Sequence, residues 1–159
     1  MDELISIRRH LHKHPELSFQ EFETSKFIQN KLTEWGITFK ANWVKTGIVA
    51  EVKGDLKSNK ISALRADIDA LPIQEVSGRI YGSVNDQVMH ACGHDVHTTC
   101  LLGAIKIMND TKHLWGGVVK CVFQPGEEKL PGGASLMIEE GLLEFMNAGA
   151  IIGLSLIHI

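Results

Sequence analysis

Four histidine or cysteine side chains able to bind a metal fall between residues 90 and 97, in the segment Met89-His90-Ala91-Cys92-Gly93-His94-Asp95-Val96-His97. A thiolate and an imidazole two residues apart, Cys92 and His94, can face one cation where the backbone turns. Gly93 between them lets the chain close tightly around the ion. Asp95 could fix a histidine tautomer from behind. A lone Cys-x-His would read as a loop with scattered polar residues. Four donors just ahead of an apolar helical stretch favour metal binding or catalysis instead.

Two further groups follow apolar, strand-like runs. In Arg65-Ala66-Asp67-Ile68-Asp69-Ala70-Leu71-Pro72 the two aspartates are two residues apart, so an extended backbone puts them on one face. Carboxylates at the end of a strand in an α/β sheet sit where ligands bind. The plainer alternative is a solvated strand end with Arg65 paired to a carboxylate. In Phe123-Gln124-Pro125-Gly126-Glu127-Glu128 adjacent glutamates in a turn point in different directions. One can ligate a metal while its neighbour moves a proton of the water that the metal acidifies. An isolated Glu-Glu is ordinarily a solvated acidic turn; the strand-then-turn context seen twice argues otherwise. Together the three groups mix hard and soft donors, which suits zinc or manganese. There is no Gly-rich phosphate loop and no Gly-x-Ser-x-Gly elbow, so nucleotide binding and serine hydrolysis have no support.

The elements that would position these groups can be read from periodicity. Leu4, Ile5, Ile7 and Leu11 predict a helix over 2–13, interrupted by Pro15. Ser18 and Glu21 have capping-box spacing and predict the start of a second helix, which carries Phe19, Phe22, Phe27, Ile28 and Leu32 and stops at Gly36. Ile37–Val44 and Gly47–Val52 read as a hairpin, Lys60–Ala66 as a buried strand, and 67–90 as mostly irregular. A buried helix is expected over His97–Met108, a strand over Gly117–Phe123, a helix over Gly132–Glu139 and a last strand over Ala148–Leu154. Apolar strands alternating with helices predict an α/β fold, a layered sheet with helices on both faces.

The chain has 159 residues, 44% of them hydrophobic and 22% charged, with 16 Lys+Arg against 19 Asp+Glu. That suits one globular domain and excludes disordered, collagen-like and disulfide-miniprotein classes. A net charge of −3 argues against nucleic-acid binding by bulk charge. No apolar run is long enough to span a membrane and MDELISIRRH lacks signal-peptide order, so the expected compartment is the cytoplasm. Of the three cysteines, Cys100 and Cys121 lie in apolar runs and are expected in the core. The end of the chain, Leu154–Ile159, breaks off on a bare apolar run. It is expected to be a non-native tail, 154–159, after a catalytic-domain portion, 1–153.

In this order, RRHLHKHPELSFQEFETS, LRADIDALP, MHACGHDVHT and FQPGEEKLPGGASLMIEEG resemble the N-terminal half of the N-acyl-amino-acid amidohydrolases of peptidase family M20, which includes hippurate and indole-acetyl-amino-acid hydrolases. The resemblance covers residues 3–153, and its MHACGHD block is highly specific. It implies a partial zinc-peptidase-like catalytic domain that binds two divalent ions, zinc or manganese, with a smaller lid or dimerisation domain later in the chain and a homodimeric whole enzyme. Carried over position by position, it implies Cys92, His94 and Glu128 as metal ligands and Glu127 as general base. Asp69 falls on the supporting aspartate and His97 on a residue orienting the site. The wider superfamily has His-x-Asp where this chain has Asp67-Ile68-Asp69, so Asp67 is not assigned as a ligand. The implied reaction is hydrolysis of the amide bond of a small N-acylated amino acid or related amide, with no nucleic-acid or membrane partner.

The departures bear on activity. The family continues its last strand here with Gly-Leu-His, whose histidine is a ligand; this chain has Gly153-Leu154-Ser155, and His158 lies three residues on. The family's final ligand and its lid domain have no counterpart in these residues. The expectation is a chain inactive alone, with apolar faces uncovered at Val118, Val122, Ile151 and Ile152. The alternatives are a dipeptidase or carboxypeptidase of the same superfamily, and a non-catalytic module holding one structural zinc.

Overall fold

The apolar residues of the central strands divide by parity, and the division sets the layers. In the computed structural model, which describes residues 2–76 and 78–155, Ile48, Ala50, Val52, Cys121 and Phe123 pack on one side of the sheet. Val49, Ala63 and Val122 pack on the other. Successive side chains on a strand alternate faces, so a strand apolar at both parities must be covered twice.

The elements run α1 (Asp2–Lys13), α2 (Phe22–Glu34), β1 (Thr38–Trp43), β2 (Gly47–Asp67), α3 (His94–Asp110), a 3₁₀ turn (Lys112–Leu114), β3 (Gly116–Gln124), α4 (Gly133–Glu139), α5 (Leu142–Met146) and β4 (Ala150–Gly153). Ile7 and Leu11 of α1, Ile28 and Leu32 of α2, and Leu101, Leu102 and Ile105 of α3 form the first covering layer. Met137 of α4 with Leu142 and Met146 of α5 form the second. The expected α/β sheet with helices on both faces is therefore the observed one.

The two strands expected at Gly47–Val52 and Lys60–Ala66 are the two arms of one long strand, β2. Its first arm pairs with β1 as the expected antiparallel hairpin, Thr38 opposite Glu51 and Ala41 opposite Ile48. The register against β3 then reverses along β2. Ile48 lies opposite Phe123 and Asp55 opposite Gly116, whereas Ile61 lies opposite Val118 and Asp67 opposite Gln124. Both arms pair with β3, and the second arm, parallel to it, delivers Asp67 beside the C-terminal end of β3. The short β4 pairs parallel to that same arm, Ser62 opposite Ala150 and Arg65 opposite Gly153.

Several expectations are corrected. Ser18 and Glu21 do not form a capping box: α2 starts after Glu21 with no side-chain cap, because both side chains are bonded elsewhere, and Phe19, expected on this helix, lies ahead of it in the left-handed region (φ 65°). The third helix begins at His94, three residues earlier than expected, since Gly93 in the left-handed region (φ 78°) lets the chain turn straight into it. Cys121 is buried as expected, but Cys100 is exposed, lying on the solvent side of α3. Val122 is 2% exposed rather than uncovered, because α5, which the periodicity did not reveal, packs over it. Ile151 and Ile152 are exposed as expected. His158 and most of the expected 154–159 tail lie outside the described residues.

Helix α1 is tied to the start of α3 by charge as well as packing. The buried Asp95 carboxylate meets His12 Nδ1 at 2.8 Å and Arg8 Nε at 3.0 Å. Asp95 thus orients a histidine, but one on α1 and not one beside it in sequence.

Candidate metal centre

Three turns at the C-terminal ends of the second β2 arm and of β3, and at the start of α3, meet at one point. The Sγ of Cys92, a ring nitrogen of His94 and a carboxylate oxygen of Glu128 all lie within 4.8 Å of one another. His94 is held from behind. Its Nδ1 is 2.9 Å from the Asp69 carbonyl and 3.2 Å from Asp69 Oδ1, which leaves Nε2 turned to the cluster. Nε2 is 3.9 Å from both Glu127 Oε2 and Glu128 Oε1. A histidine bonded to a carboxylate through one nitrogen and presenting the other is the usual form of a metal-ligating imidazole.

Asp69 is the hub of this arrangement. Its Oδ2 accepts a hydrogen bond from Ser18 Oγ at 2.6 Å and from the Glu128 backbone N–H at 3.0 Å. Burial alone would raise its pKa, but the bonds from His94, Ser18 and Glu128 outweigh burial and hold the carboxyl below its ordinary value. Desolvation works against a charged His94, yet Asp69 and Asp67 together push its pKa up.

The donor set fits a divalent cation. Glu128 Oε1 is buried with no hydrogen-bond partner among the described residues, a group that otherwise costs free energy to bury. The Cys92 thiol is pushed up to about 11, first by its hydrogen bond to Glu128, then by burial and the charges of Glu128, Glu127 and Asp69. Acidic groups crowd a soft donor here without a compensating cation from the protein; a metal ion reverses that balance and favours the thiolate.

A second group of donors overlaps the first. Asp67, His94 and His97, all buried, also place ligand atoms within 4.8 Å of one another. The sequence reading left Asp67 unassigned. The structure pairs Asp67 with Arg65, as the plainer reading of that segment supposed, yet also sets it against His94. Burial dominates over Arg65 and pushes the Asp67 carboxyl up to about 6. His97, with its ring centroid 5.2 Å from that of His94, has both ring nitrogens unpartnered among the described residues. The residue that orients His94 is Asp69. His90 is likewise buried and unpartnered, and burial lowers its pKa to about 4.

The structure therefore brings together Cys92, His94 and Glu128 at the cluster, with Glu127 beside it and Asp69 behind it, whereas Asp95 turns away to His12. What the sequence did not reveal is the part played by Ser18 and Glu21. Their spacing is the signal, and it is also that of a helix cap.

Residues 63–158 match the family described as peptidase family M20/M25/M40. The chain is 47% identical over 152 residues to the N-acetyl-L-cysteine deacetylase of Bacillus subtilis, covering 96% of this chain and 36% of the relative. It is 43% identical over 142 residues to the N-acyl-L-amino acid amidohydrolase of Geobacillus stearothermophilus, covering 89% of this chain and 38% of that one. It superposes with a TM-score of 0.90 on the solved structure of a dinuclear metal-binding peptidase of the M20 family from Bacillus subtilis, at 44% identity, covering 97% of this chain and 42% of that one. The chain thus spans under two fifths of the length of these two curated relatives. With more than half of its residues matched to the family and its fold superposing throughout, the chain belongs to peptidase family M20/M25/M40.

Proposed function

We propose that the whole protein is a metal-dependent amidohydrolase that cleaves the amide bond of a small N-acylated amino acid. The observation that carries this reading is the convergence of Cys92, His94 and Glu128, with Glu127 Oε2 only 3.9 Å from the free nitrogen of His94. A structural zinc site is closed by four protein ligands, whereas three donors with an acid beside them leave room for water and substrate. Two relatives named for N-acyl substrates and a neighbour described as dinuclear support the substrate class and the metal count.

In this reading Cys92, His94 and Glu128 would hold a divalent ion, zinc or manganese. When bound, such ions polarise an amide carbonyl and bring the pKa of water toward neutrality. Glu127, with a side chain 41% exposed, is free to reach water and substrate. It takes a proton from the attacking water and returns it to the departing amine. Asp69 keeps the proton of His94 on Nδ1, so Nε2 would be open to hold such an ion. Cys92, whose thiol pKa the neighbouring acids raise, would hold such an ion as a thiolate. Chain 1–159 alone is inactive in this reading, since Ser155, exposed beyond β4, offers a hydroxyl where an imidazole would be needed.

The test uses the full-length protein with Cys92→Ala and Glu127→Gln. Metal content should fall in Cys92→Ala. Glu127→Gln should keep its metal and lose turnover of N-acyl amino acids by roughly 10²–10⁴-fold. Ion uptake near neutral pH should release a proton that Cys92→Ala does not release, measurable by calorimetry in buffers of different ionisation heat. Normal turnover in Glu127→Gln removes it as the base, and hydrolysis of dipeptides in preference to N-acyl amino acids replaces the substrate class.

A further inference from the structure

The carboxylate of Glu21 is fully buried, with none of its surface accessible, and none of the described cations pairs with it. It is spent on neutral donors from three separate loops. Oε1 accepts from the Phe19 N–H at 2.8 Å and from the Gly126 N–H at 2.9 Å, while Oε2 accepts from Thr46 Oγ1 at 2.7 Å. Burial raises its pKa against the pull of those bonds. A buried acid with only neutral partners adds little stability, because desolvation offsets what the hydrogen bonds return.

What it bonds to gives the acid a purpose. Gly126 is the residue immediately before Glu127 and Glu128. It has φ 57°, and a side chain there would collide with the Phe19 ring at about 2.3 Å. Phe19 itself takes the left-handed conformation, φ 65°, and its N–H is pinned by Glu21. On the other side of the turn, Gly126 accepts from the Gly133 N–H at 2.9 Å. The far end is gripped from the same α1–α2 loop: Ser18 bonds Asp69 Oδ2, the oxygen that also takes the Glu128 N–H. One loop thus holds the 125–128 turn at Gly126 directly and at Glu128 through Asp69.

We infer that Ser18 and Glu21 are positioning residues for the glutamate turn, Glu21 setting its entry at Gly126 and Ser18 its exit at Glu128. The inference rests on the reading of Glu127 as base and Glu128 as ligand. Glu21 acts through hydrogen-bond geometry and not through charge. A glutamine can keep both backbone bonds on its carbonyl oxygen and donate its amide to the Thr46 hydroxyl. Misplacing a catalytic group by an ångström lowers turnover while leaving much of substrate binding intact. Removing an outer partner of a ligand set typically costs 10–100-fold in metal affinity or activity.

The experiment compares Glu21→Ala, Glu21→Gln and Ser18→Ala in the full-length protein at saturating zinc or manganese. Metal affinity is read separately by chelator competition. Glu21→Ala should lower kcat roughly 10–100-fold with KM within about twofold, and Glu21→Gln should restore kcat to within about threefold of wild type. Ser18→Ala should weaken metal affinity roughly tenfold. Wild-type kcat in Glu21→Ala overturns the inference, as does a Glu21→Gln variant as impaired as Glu21→Ala. If Glu21→Ala does not fold, Ser18→Ala decides: unchanged metal affinity overturns the inference and a tenfold loss upholds it. Glu127→Gln in the same assay keeps the two readings apart. Its normal turnover removes the base assignment, whereas the metal affinity of Ser18→Ala does not depend on which group is the base.

Discussion

β3 and β4 pair with the same arm of β2 and have similar apolar sequences, yet their surroundings are opposite. The last four residues of β3, Cys121 to Gln124, are buried on both faces, between the α1–α3 layer and the α4–α5 layer. All four residues of β4 are exposed. The site hangs from the covered side. Glu127 and Glu128 follow β3, Asp67 ends the adjoining arm of β2 and Asp69 follows it, and no donor of either metal group stands on β4. A catalytic constellation needs its side chains locked by packing, and the double cover supplies that lock. The pairing of strands and the burial of strands are separate properties, and only the second holds a site still.

The largest effect that sharpens this contrast is expected at Phe123, two residues before Pro125 and wholly buried. Phe123→Ala should cost about 3–5 kcal/mol, a large part of an ordinary domain's stability, read as a shift in the denaturant midpoint. On the opposite face Met137, also wholly buried, packs under β3 from α4. Met137→Ala should cost about 2–4 kcal/mol, a little less because the thioether is smaller and its neighbours adapt more readily. If Met137→Ala proved neutral, the second layer would be a loose flap and β3 would be held from one side only.

Much of the site was legible because its donors stand at the ends of runs whose apolar character is unambiguous. Asp69, Cys92, His94, Glu127 and Glu128 could be placed near one another once the strands were recognised as buried and roughly aligned. The layers were legible for the same reason, since strands apolar at both parities must be covered twice. What was not legible depended on contacts between segments distant in sequence. Ser18 and Glu21 have the spacing of a cap, and only the fold shows that Asp69, Thr46 and Gly126 reach their side chains first. Val122 was expected bare because α5 is five residues long, too short for a periodic signal. Cys100 sits in an apolar string, but α3 turns that position outward. His94 was expected ahead of the helix, whereas the left-handed Gly93 makes it the first residue of α3.

The covered side also buries charge, which the β4 edge does not, and this gives a pH-dependent test of intermediate size. Burial raises the Glu21 carboxyl above its ordinary value. The folded state therefore holds the proton more tightly than the unfolded state. Its contribution to stability is fully present below the unfolded pKa and is lost as pH rises through the folded one. Glu21→Gln removes this titration while keeping the bonds. The melting temperature of Glu21→Gln relative to wild type should climb as pH rises above the ordinary carboxylate value of about 4 and level off below it. A difference that fell with rising pH would mean that the ionised carboxylate is stabilised by a charge partner, and the neutral-donor account of Glu21 would fail.

The smallest effect on stability is expected at β4, and it is the one that most directly separates pairing from burial. Ile152 is 63% exposed and lies opposite Leu64 in the register with β2. Its side chain removes little apolar surface from water, so Ile152→Ala should change the stability of chain 1–159 by no more than about 0.5 kcal/mol. A neighbouring pair of exposed isoleucines on a strand is nonetheless a template for association between copies. Ile152→Lys should leave the fold alone and raise the concentration at which chain 1–159 stays monodisperse by light scattering, because a lysine on a strand discourages edge pairing. If Ile152→Ala instead cost about 2 kcal/mol or more, the residue would be packed as β3 is packed, and the contrast between the two strands would collapse.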